Sequence, residues 1–177
     1  AGGNSSAQNL TTASSFSIAW ANLQYPTANT SVAEGTAVDY YGRVYAAGVT
    51  DSVGEGTLID AWVGYSTSNT DPSGSGWTWV SAAYNIDDGA SNDEYKGTLS
   101  GLTPATYYVA YRYRVGATGA FTYGGKNNNV WASTSDNAQL TVTSLLVDWC
   151  NIQYPTSGTI TAGDAYNVYA KVYLGGV

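Results

Sequence analysis

The chain has 177 residues, enough for one domain and part of a second, and its 44% hydrophobic content can fill a core. A net charge of −7 with only six Lys+Arg excludes the basic footprint that nucleic acid or an anionic membrane surface demands. The absence of His and the presence of a single Cys exclude Ser-His-Asp and Cys-His catalysis, zinc sites of the usual Cys/His kind and an intrachain disulfide.

Residues 1–15 are polar and lack a helical period, and they read as an arm. Phe16 to Tyr25 is the first predicted strand, with Phe16, Ile18 and Trp20 on one face and Ser17, Ala19 and Ala21 on the other. Pro26 ends it, because proline has no N–H for a central ladder. Thr27–Thr36 is a predicted turn region. In Ala37–Ala47 the apolar face is Val38, Tyr40, Val44 and Ala46, and the opposite face is Asp39, Tyr41, Arg43 and Tyr45. Leu58–Tyr65 follows, centred on Trp62, and then Gly76–Tyr84, with Trp77 and Trp79 on one face.

Asn85–Glu94 is an expected acidic loop and Tyr95–Leu99 a short strand. After the corner 101–106 comes the long strand Tyr107–Val115, with Tyr107, Val109, Tyr111, Tyr113 and Val115 on one side and Arg112 and Arg114 on the other. Ala120–Tyr123 and Gln139–Thr143 complete the series. No window carries a 3.6-residue period long enough for a helix. About seven short strands at 8–12-residue spacing predict an all-β fold, an immunoglobulin-like β-sandwich.

The chain also repeats itself. Ile18-Ala-Trp-Ala-Asn-Leu-Gln-Tyr-Pro-Thr27 returns as Val147-Asp-Trp-Cys-Asn-Ile-Gln-Tyr-Pro-Thr156, identical at six of ten positions. Tyr41-Gly-Arg-Val-Tyr45 returns as Tyr169-Ala-Lys-Val-Tyr173. Self-similarity at a fixed interval marks an array of like units. The expected division is an arm over 1–15, a β-sandwich repeat over 16–144 and the first strands of a second repeat over 145–177. The arm echoes the strand that precedes the second motif, since Ala7-Gln-Asn-Leu-Thr11 parallels Ala138-Gln-Leu-Thr141. Trp20 and Trp149 are expected as core anchors of the first strand of each copy. Cys150, aligned with Ala21, is expected as a small buried or half-buried residue.

Leu102-Thr-Pro-Ala-Thr-Tyr-Tyr108 resembles the corner before strand F of fibronectin type III domains, where a tyrosine hydroxyl pins the turn. The apolar alternation is in register with Tyr107, while the motif spacing points to Tyr108. More of the chain is similar to tandem immunoglobulin-like repeats of prokaryotic secreted and cell-surface proteins. That resemblance rests on Trp20-Ala-Asn-Leu-Gln-Tyr-Pro26, Gly48-Val-Thr-Asp51, Gly76-Trp-Thr-Trp-Val80, Asn92-Asp-Glu-Tyr95 and Phe121-Thr-Tyr-Gly124. It implies an architectural or adhesive role without enzymatic activity.

Candidate chemistry is sparse. Asp87, Asp88, Asn92, Asp93 and Glu94 offer five oxygen-bearing side chains within eight residues, a candidate Ca²⁺ loop outside the EF-hand pattern, set against a solvated acidic turn. No other cofactor is expected. Trp62, Tyr65, Trp77, Trp79 and Trp131 suit either a sugar-stacking platform or, as the simpler expectation, the core. Tyr41, Arg43 and Tyr45, with Tyr169, Lys171 and Tyr173, lie opposite the apolar face and are candidate interface residues. Asn4, Asn9 and Asn29 head Asn-x-Ser/Thr sequons and are glycosylation candidates.

No apolar run reaches the 18–20 residues of a membrane span. The lack of Met and the start at Ala1 suit a processed product or a fragment, and the low charge suits the outside of a cell. The expectation is a non-enzymatic structural subunit of an extracellular filament, sheath or surface layer. Its partners are copies of itself, linked by strand pairing or domain completion, and possible surface glycans. The alternative is a carbohydrate-binding or adhesive module of a larger secreted protein.

Overall fold

The computed structural model describes residues 16–175, and the arm expected over 1–15 lies outside the described residues. The chain is all-β. Its strands are β1 (Trp20–Tyr25), β2 (Thr30–Ala33), β3 (Val38–Tyr45), β4 (Ile59–Ser66), β5 (Thr78–Asp88) and β6 (Asn92–Leu99). They continue with β7 (Ala105–Val115), β8 (Thr122–Gly125), β9 (Asn129–Val130), β10 (Ala138–Thr143), β11 (Val147–Tyr154) and β12 (Tyr169–Leu174). A 3₁₀ turn, Thr134–Asp136, precedes β10.

Pairing among β1–β10 closes on itself. β3 lies between β1 and β6, and β4 between β5 and β7, all antiparallel. Two strands each serve two neighbours in succession. The first half of β5 pairs with β4 through Thr78–Ala82, and its second half pairs with β6 from Ala83 onward. β7 pairs with β10 through Ala105–Val109 and then with β8 through Tyr111–Tyr113. β8 meets β1 at Gly125 and Asn22, which completes a seven-strand ring of β7, β4, β5, β6, β3, β1 and β8. The sandwich expectation foresaw two sheets and did not foresee this closure. Closure gives each ring strand a neighbour on both sides, while β2 and β9 stand at the two ends of the strand order. β2 lies outside the ring, parallel to β10.

The core is unusually rich in tyrosine. Tyr40, Tyr95, Tyr111 and Tyr113 are almost completely buried among Leu23, Val44, Val63, Val109 and Leu140. A buried phenol must find partners for its hydroxyl or lose free energy. Tyr111 donates to the Tyr40 carbonyl at 2.5 Å and accepts the Gly97 N–H at 2.9 Å. Tyr113 donates to the Asn22 carbonyl at 3.1 Å. These bonds tie β7 through the core to β3, β6 and β1. The two rings stack on each other, with centroids 5.5 Å apart. Gly42 makes room for them, since a Cβ there would come within 2.7 Å of the Tyr111 ring.

The alternation in β3 and β7 places the predicted residues inside: Tyr40, Val44 and Ala46, and Tyr107, Val109, Tyr111 and Tyr113, are buried. β1 requires a correction. Its inward residues are Ala21 and Leu23, both fully buried, so Trp20 turns outward and is no core anchor. Its counterpart Trp149 is 50% exposed. The turn expected over 27–36 contains β2, and the acidic loop expected over 85–94 is mostly strand.

β11 and β12 form a separate two-stranded antiparallel sheet in which every residue is exposed. Its register reproduces that of β1 and β3. Trp20 faces Tyr45, Ala21 faces Val44 and Asn22 faces Arg43. Trp149 likewise faces Tyr173, Cys150 faces Val172 and Asn151 faces Lys171. The register shift between Leu23 and Tyr25 returns between Ile152 and Tyr154. Both following Tyr–Pro bonds are cis. Cys150, expected to be buried or half-buried, is exposed.

Candidate functional site

Three regions outside the core bring distinctive side chains together. The first lies on the outer face of β1 and β3, where Trp20, Arg43, Tyr45, Asn92 and Asn128 line a shallow cavity of about 370 Å³. Register explains the grouping, because Trp20 is paired with Tyr45 and Asn22 with Arg43, and opposed residues share a face. Arg43 reaches the Asp88 carboxylate at 2.6 Å, and its guanidinium carbon lies 5.7 Å from the Trp20 ring centroid. Asn128 caps the cavity. Its side-chain oxygen accepts from Asn22 at 2.9 Å and from Arg43 at 3.2 Å, and its carbonyl accepts from the Trp20 indole at 3.3 Å.

Asn128 holds φ at +61°, the left-handed region that asparagine tolerates better than most residues. Asn22 is 1% exposed and links this face to the core, since its carbonyl receives the Tyr113 hydroxyl. The interface candidates Tyr41, Arg43 and Tyr45 are half-buried on this side of β3. Tyr41 has the Lys96 ammonium 5.9 Å from its ring centroid and the Tyr25 ring 6.4 Å away. Tyr169, Lys171 and Tyr173 are exposed on β12.

The second region is an aromatic face carried by β4, β5, β7 and β8. Trp62, Trp77 and Trp79 are half-buried there and lie outside the core, contrary to the simpler expectation. Pairing puts Arg112 opposite Trp62 on one side and Tyr123 on the other. Its guanidinium carbon lies 4.3 Å from the ring centroids of both Trp79 and Phe121 and 4.9 Å from that of Trp62. Burial pushes the Arg112 pKa downward, and the rings offset that cost through their negative faces. Trp77 stacks on Trp79 at 5.8 Å, and Trp79 covers the bare backbone of Gly64. Arg114 pairs with Asp60 at 2.8 Å. Trp131 and Tyr65 do not join this group. Trp131 donates to Asn137 at 2.8 Å, and Tyr65 packs edge-on against Tyr107.

The third region is the β5–β6 hairpin, where the candidate Ca²⁺ residues lie. Strand pairing sets Asp88 against Asn92 and Asp87 against Asp93, and alternation sends neighbours to opposite faces. Each of the four carboxylates holds a protein donor, although the second oxygen of Asp93, Oδ1, is buried without a partner. Asp87 takes the Gly54 N–H at 3.0 Å and the Tyr84 hydroxyl at 2.7 Å, and these bonds lower its pKa. Asp88 holds Arg43, and Glu94 accepts from Asn85 at 2.6 Å. Asp93 is fully buried, receives the Gly56 N–H at 2.7 Å, and has its pKa raised by burial. Among the described residues no three carboxylate, Cys or His side chains converge on one metal position. The candidate Ca²⁺ residues thus lie on a β-hairpin in place of the expected loop, and Asp87, Asp88, Asp93 and Glu94 each hold a protein donor.

Of the sequons, Asn29 is exposed in the segment between β1 and β2, while Asn4 and Asn9 lie outside the described residues. Sequence reasoning missed Asn128 and Arg112. Arg112 was recoverable, because the alternation of β7 already placed it opposite the core tyrosines. Asn128 carries no local signal, since only the folded loop brings it to Trp20. Among known proteins, no family model and no curated sequence matches this chain.

Proposed function

We propose that this chain is a non-enzymatic structural subunit of an extracellular filament, sheath or surface layer, built from immunoglobulin-like repeats. The observation that carries the reading is the β11–β12 ribbon. It has the register of β1–β3, yet it exposes the residues whose counterparts are core. Ile152 is 60% and Val172 is 62% exposed, where Leu23 and Val44 are at 0%. A ribbon with this pattern gains stability when further strands cover it. Strand addition with domain completion supplies that cover and joins unit to unit. Repeated head to tail, such linkage extends without closing.

The immunoglobulin-like reading is supported by the neighbours of each strand. β1, β3 and β6 neighbour one another on one side, and β4, β7 and β10 on the other, with β5 and β8 bridging them. It is supported too by the corner before β7, where the Tyr107 hydroxyl donates to the Thr103 carbonyl at 2.9 Å. The repeat reading divides the chain into an arm over 1–15, a first unit over 16–144 and a partial second unit over 145–177. The test is electron microscopy of the native material. Ordered polymers in which β12 gains a strand neighbour support the proposal. A native monomer with β11–β12 uncovered overturns it.

A carbohydrate-binding or adhesive module is the second reading, favoured by the outward placement of Trp62, Trp77 and Trp79. Against it, Arg112 and neighbouring aromatics already occupy much of the ring surface that a sugar would stack on. Retention on immobilised polysaccharide that is lost in Trp77→Ala would favour this second reading.

A further inference from the structure

The first copy of the ribbon shows what a cover for the second copy must look like, and where it must differ. This argument rests on the domain-completion reading above. In the first copy, β6 lies along the outer edge of β3. Lys96 stands opposite Tyr41, and Glu94 stands opposite Arg43. The carboxylate that Arg43 reaches is that of Asp88, on β5, while Glu94 accepts from Asn85. The tyrosine pair of β7, Tyr111 and Tyr113, then lies over Gly42. In the second copy Tyr169 and Lys171 take the places of Tyr41 and Arg43, so the same order of charge suits a covering strand: a cation beside Tyr169 and an acid beside Lys171.

The floor of the second copy is different. Ala170 faces Ile152 as Gly42 faces Leu23. A Cβ at Gly42 would lie 2.7 Å from Cγ and 2.8 Å from Cδ1 of Tyr111, and closer still to the Tyr113 hydroxyl. Both tyrosines are completely buried: the Tyr111 ring is held by its hydroxyl on the far side from Gly42, and the Tyr113 hydroxyl, the atom nearest that Cβ, is itself held by the Asn22 carbonyl. Packed interiors transmit such a clash and do not absorb it.

We propose that Ala170 makes the β11–β12 ribbon selective. Its occupant is a diverged repeat that presents an acidic residue to Lys171 and side chains smaller than tyrosine at the positions of Tyr111 and Tyr113. The β6–β7 segment of an identical copy is excluded. Residue 42 in one copy and residue 170 in the other thus distinguish like units from unlike ones. That is specificity through a clash with the wrong partner.

The test compares two full-length chains, each extended after Val177 by residues 50–144 of this same sequence. One retains Ala170 and the other carries Ala170→Gly. Hydrogen exchange of the β12 amides is the readout. The glycine chain is expected to exchange at least tenfold more slowly than the alanine chain and to show a second thermal transition that the alanine chain lacks. Equal protection in both chains overturns the selectivity and leaves domain completion standing. Lack of protection in both overturns domain completion as well. Concentration-dependent protection of β12 in the unextended Ala170 chain identifies an identical copy as the occupant and overturns the proposal. The parallel control is Gly42→Ala in the first copy. It is expected to lower the unfolding midpoint, and adding Tyr113→Phe, which removes the nearest atom, is expected to restore part of the loss. A Gly42→Ala chain as stable as the parent overturns the steric premise.

Discussion

The Tyr111 hydroxyl donates to the backbone carbonyl of Tyr40 at 2.5 Å, across a core from which both side chains exclude water. The same oxygen accepts the Gly97 N–H, so one phenol serves β3 and β6 together. Tyr111→Phe keeps the ring and removes both bonds, leaving a buried donor and a buried acceptor short of a partner. The expected loss is about 1–3 kcal/mol. Urea denaturation checks it: the midpoint falls while the slope with denaturant is unchanged.

Acid stability turns on which carboxylates the fold has made stronger acids. Burial opposes ionisation of Asp136, but the N–H groups of Ala132 and Ser133 and the Asn127 amide outweigh it and lower its pKa. Asp39 is lowered by Lys96 and Thr98, and Asp87 by Tyr84 and Gly54. With a folded pKa below the unfolded value, each adds stability that is present above pH 3.8 and lost as pH falls further. Asp136→Ala is expected to destabilise by about 1–3 kcal/mol at pH 7 and to flatten the acid limb of a stability–pH curve.

Asp93 has the opposite sign. Burial raises its pKa, so the folded state holds the proton more tightly than the unfolded chain. Its contribution is fully present below pH 3.8 and is lost as pH rises through the folded value. Asp93→Asn removes the ionisation. Relative to the parent, it is expected to gain stability as pH rises from 3 to 6, in thermal melts collected at several pH values. A difference that does not change with pH would show that Asp93 is not a strained carboxylate.

Arg112 connects β7 to the aromatic face by contact with Trp79, Phe121 and Trp62. Arg112→Ala is expected to cost about 1–2 kcal/mol and to change the near-ultraviolet circular dichroism of the tryptophans. Arg112→Lys retains the charge but lacks the flat guanidinium, and it is expected to recover less than half of the loss.

The exposed ribbon predicts a separation of stability from assembly. Ile152→Ser with Val172→Ser alters side chains that are 60% and 62% exposed. The first unit's melting is expected to move by less than about 0.5 kcal/mol. On the proposed function, incorporation of the same variant into the native polymer, read by sedimentation, falls sharply.

By itself the sequence determined the all-β class, the inward faces of β3 and β7, and the recurrence of the β1 and β3 motifs in a second copy. A two-residue period and a repeated motif are local signals, and local backbone geometry obeys them. Only the tertiary structure decided that the sheet closes on itself, because closure depends on β5 and β7 changing partners midway along their length. It likewise turned Trp20, Trp62, Trp77 and Trp79 outward. An aromatic side chain stacked under a guanidinium is as hydrophobic in sequence as one in the core, and only the position of Arg43 or Arg112 distinguishes the two. The acidic run was misjudged for a related reason. Asp87, Asp88, Asp93 and Glu94 look solvated when read in order, but each is matched to a donor more distant in the chain or across the hairpin, at Gly54, Arg43, Gly56 and Asn85.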